Sequence, residues 1–141
     1  MDYAGSGYDR GHLAPAADMP TPTAMTQSFS LANVVPQAPA MNSGIWVDRV
    51  ENAVREYVLR ATGDVFVFTG PINTKPVATI GTGKVWVPKQ LFKLVYDQKL
   101  NKAWAFIVTN ADDAIMPPSI TYAALKKAVG IEFLPGVTPK N

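Results

Sequence analysis

Apolar positions recur along this chain with a helical period in some stretches and a strand period in others, and turn residues separate them. From about Ser43 to Arg60, the residues Trp46, Val50, Val54, Tyr57 and Ala61 stand three or four apart, which is one face of an α-helix. Ser43 suits the N-cap of that helix and Gly63 its stop. Residues 64–69 alternate and are rich in Val and Phe, so they predict a strand that Gly70 and Pro71 end. Residues 85–95, as Val85–Val87 and then Leu91–Val95, and residues 103–109 predict further strands, and the turn-like stretch from Asp97 to Lys102 joins the last pair as an antiparallel hairpin. A short helix follows over Tyr122–Ala128, with Ser119 and Thr121 before it, Lys126 and Lys127 in its last turn and Gly130 after it.

The first forty residues lack either period. Prolines at 15, 20, 22, 36 and 39, with many Gly, Ser and Ala, predict a long ordered loop region. Within it Phe29, Leu31, Val34 and Val35 predict a brief buried strand that ends before Pro36. No repeat or internal linker divides the chain, so residues 1–141 read as one domain mixing helices with an antiparallel sheet.

Composition narrows the chemistry. With 141 residues, 48% hydrophobic and 17% charged, the chain can bury a sizeable core without disulfides or a structural metal. It has no cysteine, which excludes disulfide scaffolds, Cys-ligated zinc and thiol nucleophiles. No window approaches the roughly 20 apolar residues of a membrane span, and Met1 is followed by Asp2 rather than an export signal. Thirteen Lys and Arg against eleven Asp and Glu leave +2, so any case for a polyanionic partner rests on placement, not bulk charge.

His12 is the sole histidine, within Asp9-Arg10-Gly11-His12. An imidazole titrating near pH 6.5 is a ready general base, Arg10 offers a fork for phosphate, and Gly11 lets the backbone pass close to a ligand. Asn33, Gln37 and Asn42 form a second group. Side chains of this type beside prolines commonly hold turns together, and Gln37 fits that role. Asn42, at the entry to the long helix, can turn its carbonyl oxygen to a hard cation that keeps most of its waters. Glu51 and Arg55 lie four apart and would make a modest surface pair. At about 100° per residue from Trp46, however, they fall near about 140° and about 180°, bordering the buried arc and able to reach into a cleft. Lys84, Lys89 and Lys93 fit either a polyanion groove or a solvated strand face.

These residues carry a resemblance. The segment Tyr8–Asp18 with its Asp9-Arg10-Gly11-His12 block, then Leu31–Gln37, then Asn42–Trp46, resembles the DNA/RNA non-specific endonucleases, the ββα-metal nucleases that include bacterial secreted nucleases and mitochondrial endonuclease G. The similarity continues more weakly through Thr69–Pro71 and Gly83–Pro88 to Gly130–Leu134. It implies an α+β, ββα-metal (His-Me finger) fold, an antiparallel sheet with flanking helices, here without the strands that usually precede the first block. It further implies His12 as general base, Asn42 as the magnesium-binding asparagine, Arg10 beside the active site, Asn33 as a supporting residue and Arg55 as a stabiliser of the transition state. In the family a glutamate usually falls four residues after the tryptophan; Val50 stands there and Glu51 one later, so the helix holds an extra residue or a bulge, or the carboxylate is displaced.

The implied activity is Mg²⁺-dependent hydrolysis of DNA and RNA, with Mn²⁺ as a substitute, leaving 5′-phosphate ends. Competing readings are a non-catalytic nucleic-acid-binding module of the same fold and a phosphodiesterase acting on small nucleotides. Without an apolar span no membrane partner is expected, and the resemblance implies a secreted or periplasmic setting and an exposed sheet edge covered by a homodimer partner or by a segment from another chain.

Overall fold

The computed structural model describes residues 1–141. Strand β1 (Asp9–His12) and helix α1 (Pro22–Ser28) come first, then β2 (Val34–Gln37) and the short α2 (Pro39–Met41). A π-helical segment (Asn42–Glu51) and α3 (Asn52–Arg60) follow, then β3 (Val65–Ile72), β4 (Ala78–Ile80), β5 (Val85–Val87), β6 (Gln90–Asp97), β7 (Lys102–Thr109), β8 (Ile120–Thr121) and α4 (Tyr122–Val129). The backbone stays right-handed helical through Asn42, Glu51 and Asn52, so residues 39–60 form one continuous helix.

A four-stranded antiparallel sheet in the order β3-β6-β7-β8 is the centre of the fold. Period-two alternation splits β6 between two layers. Phe92, Leu94 and Tyr96 pack with Tyr122 and Leu125 of α4, whereas Leu91 packs with Met41, Trp46 and Val50 of the long helix. Because both faces of β6 are covered, residues 91–97 are all buried, as in strands that read as an unbroken apolar run. Two-stranded ladders, β1 with β2 and β4 with β5, complete the fold.

Several sequence expectations hold. The β6–β7 hairpin turns between Asp97 and Lys102 in register. The last helix is capped as its sequence suggests, with the Thr121 hydroxyl accepting the Ala124 N–H at 3.1 Å and Gly130 at φ 76° after it. Strand β3 pairs only with β6, so its other edge is open, and Phe66 and Val67 are exposed beside it.

Others are corrected. The first forty residues contain a helix, α1, because Thr21 accepts the Ala24 N–H at 3.1 Å and Pro22 fits the first helical position. The brief strand lies at Val34–Gln37, includes Pro36, and leaves Phe29 and Leu31 exposed. Pro36 is tolerated because β2 pairs on one side only, with Arg10 opposite the proline. The long helix starts at Pro39, not at Ser43, whose hydroxyl donates back to the Pro39 carbonyl at 2.8 Å. Its free N-terminal amides are met from the loop after β7: Asn110 Oδ1 accepts from Ala38 N–H and Asp112 Oδ1 from Ala40 N–H, both at 2.8 Å. The helix ends at Arg60, ahead of Gly63. Strand β3 runs through Gly70 and Pro71 to Ile72. The two strands expected within residues 85–95 are present as β5 and β6, in different sheets.

Candidate active site

The β1–β2 ladder presents His12 opposite Val34. Gly11 is required there: a Cβ would lie 2.0 Å from Gln37 Cδ. The close approach lets Gln37, fully buried, donate from Nε2 to the His12 carbonyl at 3.3 Å, so Gln37 has the supporting role its sequence setting suggests. The His12 ring meets Phe29 edge-on at 4.6 Å, and its Nε2 is buried without a partner. Burial pushes the imidazole pKa below its ordinary value, which keeps the ring neutral and basic near pH 7.

Asn33 ties down the loop after His12. Its Oδ1 accepts from Ala14 N–H at 3.0 Å, while Nδ2 donates to the carbonyls of Ala14 and Ser28, each at 2.9 Å. Asn42 is oriented by a residue the sequence reading assigned no role: its Nδ2 donates to Asp9 Oδ2 at 3.0 Å. The amide nitrogen is thereby fixed and Oδ1 is left available as an acceptor. Asp9 and His12 are three residues apart on β1, about 10 Å of strand. One strand therefore carries both the imidazole and the carboxylate that aims Asn42.

The π segment resolves the Glu51 register. The Asn52 N–H reaches the carbonyl of Val47, five residues back, and that wider turn accommodates the extra residue between Trp46 and Glu51. Glu51 is accordingly buried, only 6% exposed, which corrects its expected place at the border of the helix face. It makes no ion pair with Arg55. Burial raises its pKa, the charges of Lys93 and Arg55 oppose that rise, and Asp18 adds to it.

Arg55 turns instead to Asp18, with Nε at 2.7 Å from Oδ1, and its Nη1 donates to Asn52 Oδ1 at 2.5 Å. Arg10 is exposed, with its guanidinium 5.6 Å from the Tyr3 ring centre and Nη2 3.4 Å from Met1 Sδ. Among the three lysines, Lys84 and Lys89 are exposed, whereas Lys93 is 2% exposed. Its Nζ lies 2.7 Å from Thr69 Oγ1, 3.5 Å from the Leu13 carbonyl and 5.2 Å from the Trp46 ring centre. Desolvation lowers its pKa to about 8, with Glu51 acting against the fall. This residue was legible only as one of three scattered lysines. The available signal was a charge set in the apolar run Leu91–Val95.

A cavity of about 880 Å³ opens between the long helix and β3, with Asn33, Glu51, Arg55 and Lys93 in its walls. His12, Arg10 and Asn42 lie outside those walls, on β1 and the start of the π segment. No group of three or more His, Cys, Asp or Glu side chains is gathered anywhere, so an all-protein metal cage is absent. The oriented Asn42 carbonyl, with Glu51 beyond it on the helix, fits a hard cation held largely by water.

A two-stranded ladder carrying the imidazole, followed by a helix carrying the asparagine, is the ββα-metal nuclease arrangement. The chain belongs to the DNA/RNA non-specific endonuclease family, which it matches over residues 1–140. It is similar to mitochondrial nuclease EXOG of Danio rerio, with 33% identity over 157 residues covering 96% of this chain and 45% of that protein. It is likewise similar to human mitochondrial endonuclease G, with 31% identity covering 96% of this chain and 51% of that one. A nuclease of Syncephalastrum racemosum is 32% identical, covering 94% and 48% respectively. A chain from the crystal structure of the EndoG/EndoGI complex shares the fold, with a TM-score of 0.79 at 24% identity over 94% of this chain and 61% of that one. The chain spans about half the length of the curated relatives it matches.

Proposed function

We propose that this chain hydrolyses phosphodiester bonds in both DNA and RNA, with His12 as general base, assisted by Mg²⁺ or Mn²⁺. The observation that carries the reading is β1, which holds a partly buried, neutral imidazole at one end and at the other the carboxylate that fixes the Asn42 amide. Family membership over residues 1–140 supports it.

His12 accepts a proton from a water molecule, and the resulting hydroxide attacks phosphorus as the bond to the 3′ oxygen breaks, leaving a 5′-phosphate. The nucleophile is external water, so no 2′-hydroxyl is needed and both nucleic acids qualify. Asn42 Oδ1 would hold the divalent cation and Glu51 its water shell; bound there, the ion supplies charge neutralisation at the phosphate and at the departing oxygen. Arg55, once released from Asp18, offers its fork to the phosphate. Backbone contacts of this kind give little base preference and a steep salt dependence.

Digestion of plasmid DNA and of RNA with and without EDTA tests the reading. Cleavage of both, lost with EDTA and lost in His12→Ala, is expected. Binding of DNA without cleavage in Mg²⁺ or Mn²⁺ would favour the non-catalytic module, and cleavage confined to dinucleotide esters would favour the small-nucleotide phosphodiesterase.

A further inference from the structure

Strand β6 is buried on both faces, with Leu91, Leu94 and Val95 at 0% exposure, yet its middle residue on the helix face is a lysine at 2%. A leucine or methionine would fill that volume without the desolvation that an ammonium suffers. Fold alone therefore gives no reason for the charge.

What surrounds the ammonium does. Lys93 Nζ has three donors; one goes to Thr69 Oγ1 at 2.7 Å and one reaches, at 3.5 Å, the carbonyl of Leu13, the residue next to His12. The charge interacts with Glu51, but the two do not close into an ion pair within 4.0 Å. The Trp46 indole Nε1 is buried with no partner at full hydrogen-bond geometry, yet it faces Glu51 and helps to hold down the pKa of that carboxylate. The Glu51 carboxylate and the Lys93 ammonium thus both stand in the wall of the cleft, the ammonium with one of its three donors unused, a setting for ordered water. The π segment allows this placement, because its five-residue step turns Glu51 inward while Val50 stays in the core with Trp46.

We propose that Lys93 is a positioning residue for phosphodiester hydrolysis: its ammonium stands with the Glu51 carboxylate in the wall of one cleft and bonds the backbone beside His12, keeping helix and base strand in reacting register. The proposal rests on the hydrolytic reading of the site. Lys93 touches neither phosphate nor the attacking water. Its loss should therefore slow turnover and leave substrate binding alone.

The test compares the parent chain with Lys93→Met, Thr69→Val and His12→Ala. Each is assayed for kcat and KM on a fluorescent oligonucleotide duplex in Mg²⁺, for affinity to the same duplex in EDTA, and for thermal unfolding. Lys93→Met should lower kcat about 100-fold, with KM and EDTA affinity within threefold of the parent and a melting temperature equal or higher. Thr69→Val keeps the charge but removes its anchor, and should lower kcat about fivefold; it decides the matter where Lys93→Met fails to fold. A parent-like kcat in a folded Lys93→Met, or in Thr69→Val when the first variant is unfolded, overturns the proposal. So does a tenfold loss of EDTA affinity in Lys93→Met, which would make Lys93 a phosphate contact. When the parent cleaves, His12→Ala is dead and Lys93→Met is fully active, only the Lys93 proposal falls; a parent that never cleaves in Mg²⁺ or Mn²⁺ overturns the hydrolytic reading and this proposal together.

Discussion

The two faces of β6 do different work with the same backbone. Toward α4, Phe92, Leu94 and Tyr96 meet Leu125 and Leu134 in an apolar layer. Toward the long helix, Leu91 and Val95 flank Lys93, which lies against Thr69 and Trp46 and senses Glu51. The first face is a stability device, where shape and area decide. The second gives up some of that stability to keep a charge in the wall of a cleft, and such a concession is the physical mark of a site.

The contrast can be broken most strongly at the base. His12→Ala should cut cleavage by about 10²–10⁴-fold, read in plasmid digestion, while leaving urea unfolding close to the parent. Leu94→Ala, on the α4 face at 0% exposure, should do the reverse: a loss of about 2–5 kcal/mol in urea unfolding with kcat unchanged in the folded fraction. Asp9→Ala frees the Asn42 amide to rotate and should weaken Mn²⁺ binding about 10–100-fold by calorimetry, with a small change in melting.

Proton linkage sharpens the comparison. Lys93 titrates at about 8 in the folded protein against 10.5 as an ordinary lysine, so between those values the unfolded chain holds the extra proton and stability rises with pH. That rise should appear in denaturant titrations of the parent and vanish from Lys93→Met. The His12 pKa is lowered as well, so stability from this group is complete above the unfolded value near 6.5 and declines as the pH falls through it. Cleavage should fall on the acid side too, because a protonated imidazole cannot accept a proton. The smallest effect belongs to the exposed Asp18–Arg55 pair: Asp18→Asn should change unfolding by less than about 1 kcal/mol.

Local signals and long-range ones differ in how far they could be read. The hairpin from Asp97 to Lys102 and the helix behind Thr121 were legible because neighbouring residues encode them. The β1–β2 ladder was not, since Asp9–His12 has no apolar alternation and becomes a strand only by pairing with residues some twenty-five positions later. The start of the long helix was misplaced for a related reason: its amides are met by Asn110 and Asp112, remote in sequence, and not by an N-cap of its own. His12, Asn33 and Asn42 are candidates from their ordered motif blocks and Arg55 from its place on the helix, whereas the contact of Asp9 with Asn42 and the burial of Lys93 beside Thr69 are visible only in the fold.

Composition and period alone determined a mixed chain of helices and an antiparallel sheet, and the ordered motif blocks carried the resemblance to the non-specific endonucleases that the family match bears out, because these properties are written in residues close to one another. Folding in three dimensions chose where Glu51 points. A helical pattern of spacing three and four tolerates either an α or a π turn over a few residues, and in the folded chain the wider turn buries Glu51 together with Trp46 and Val50. It also turned a lysine in an apolar run into a buried charge beside the cleft, for burial is a property of both faces of a sheet and no single strand can state it.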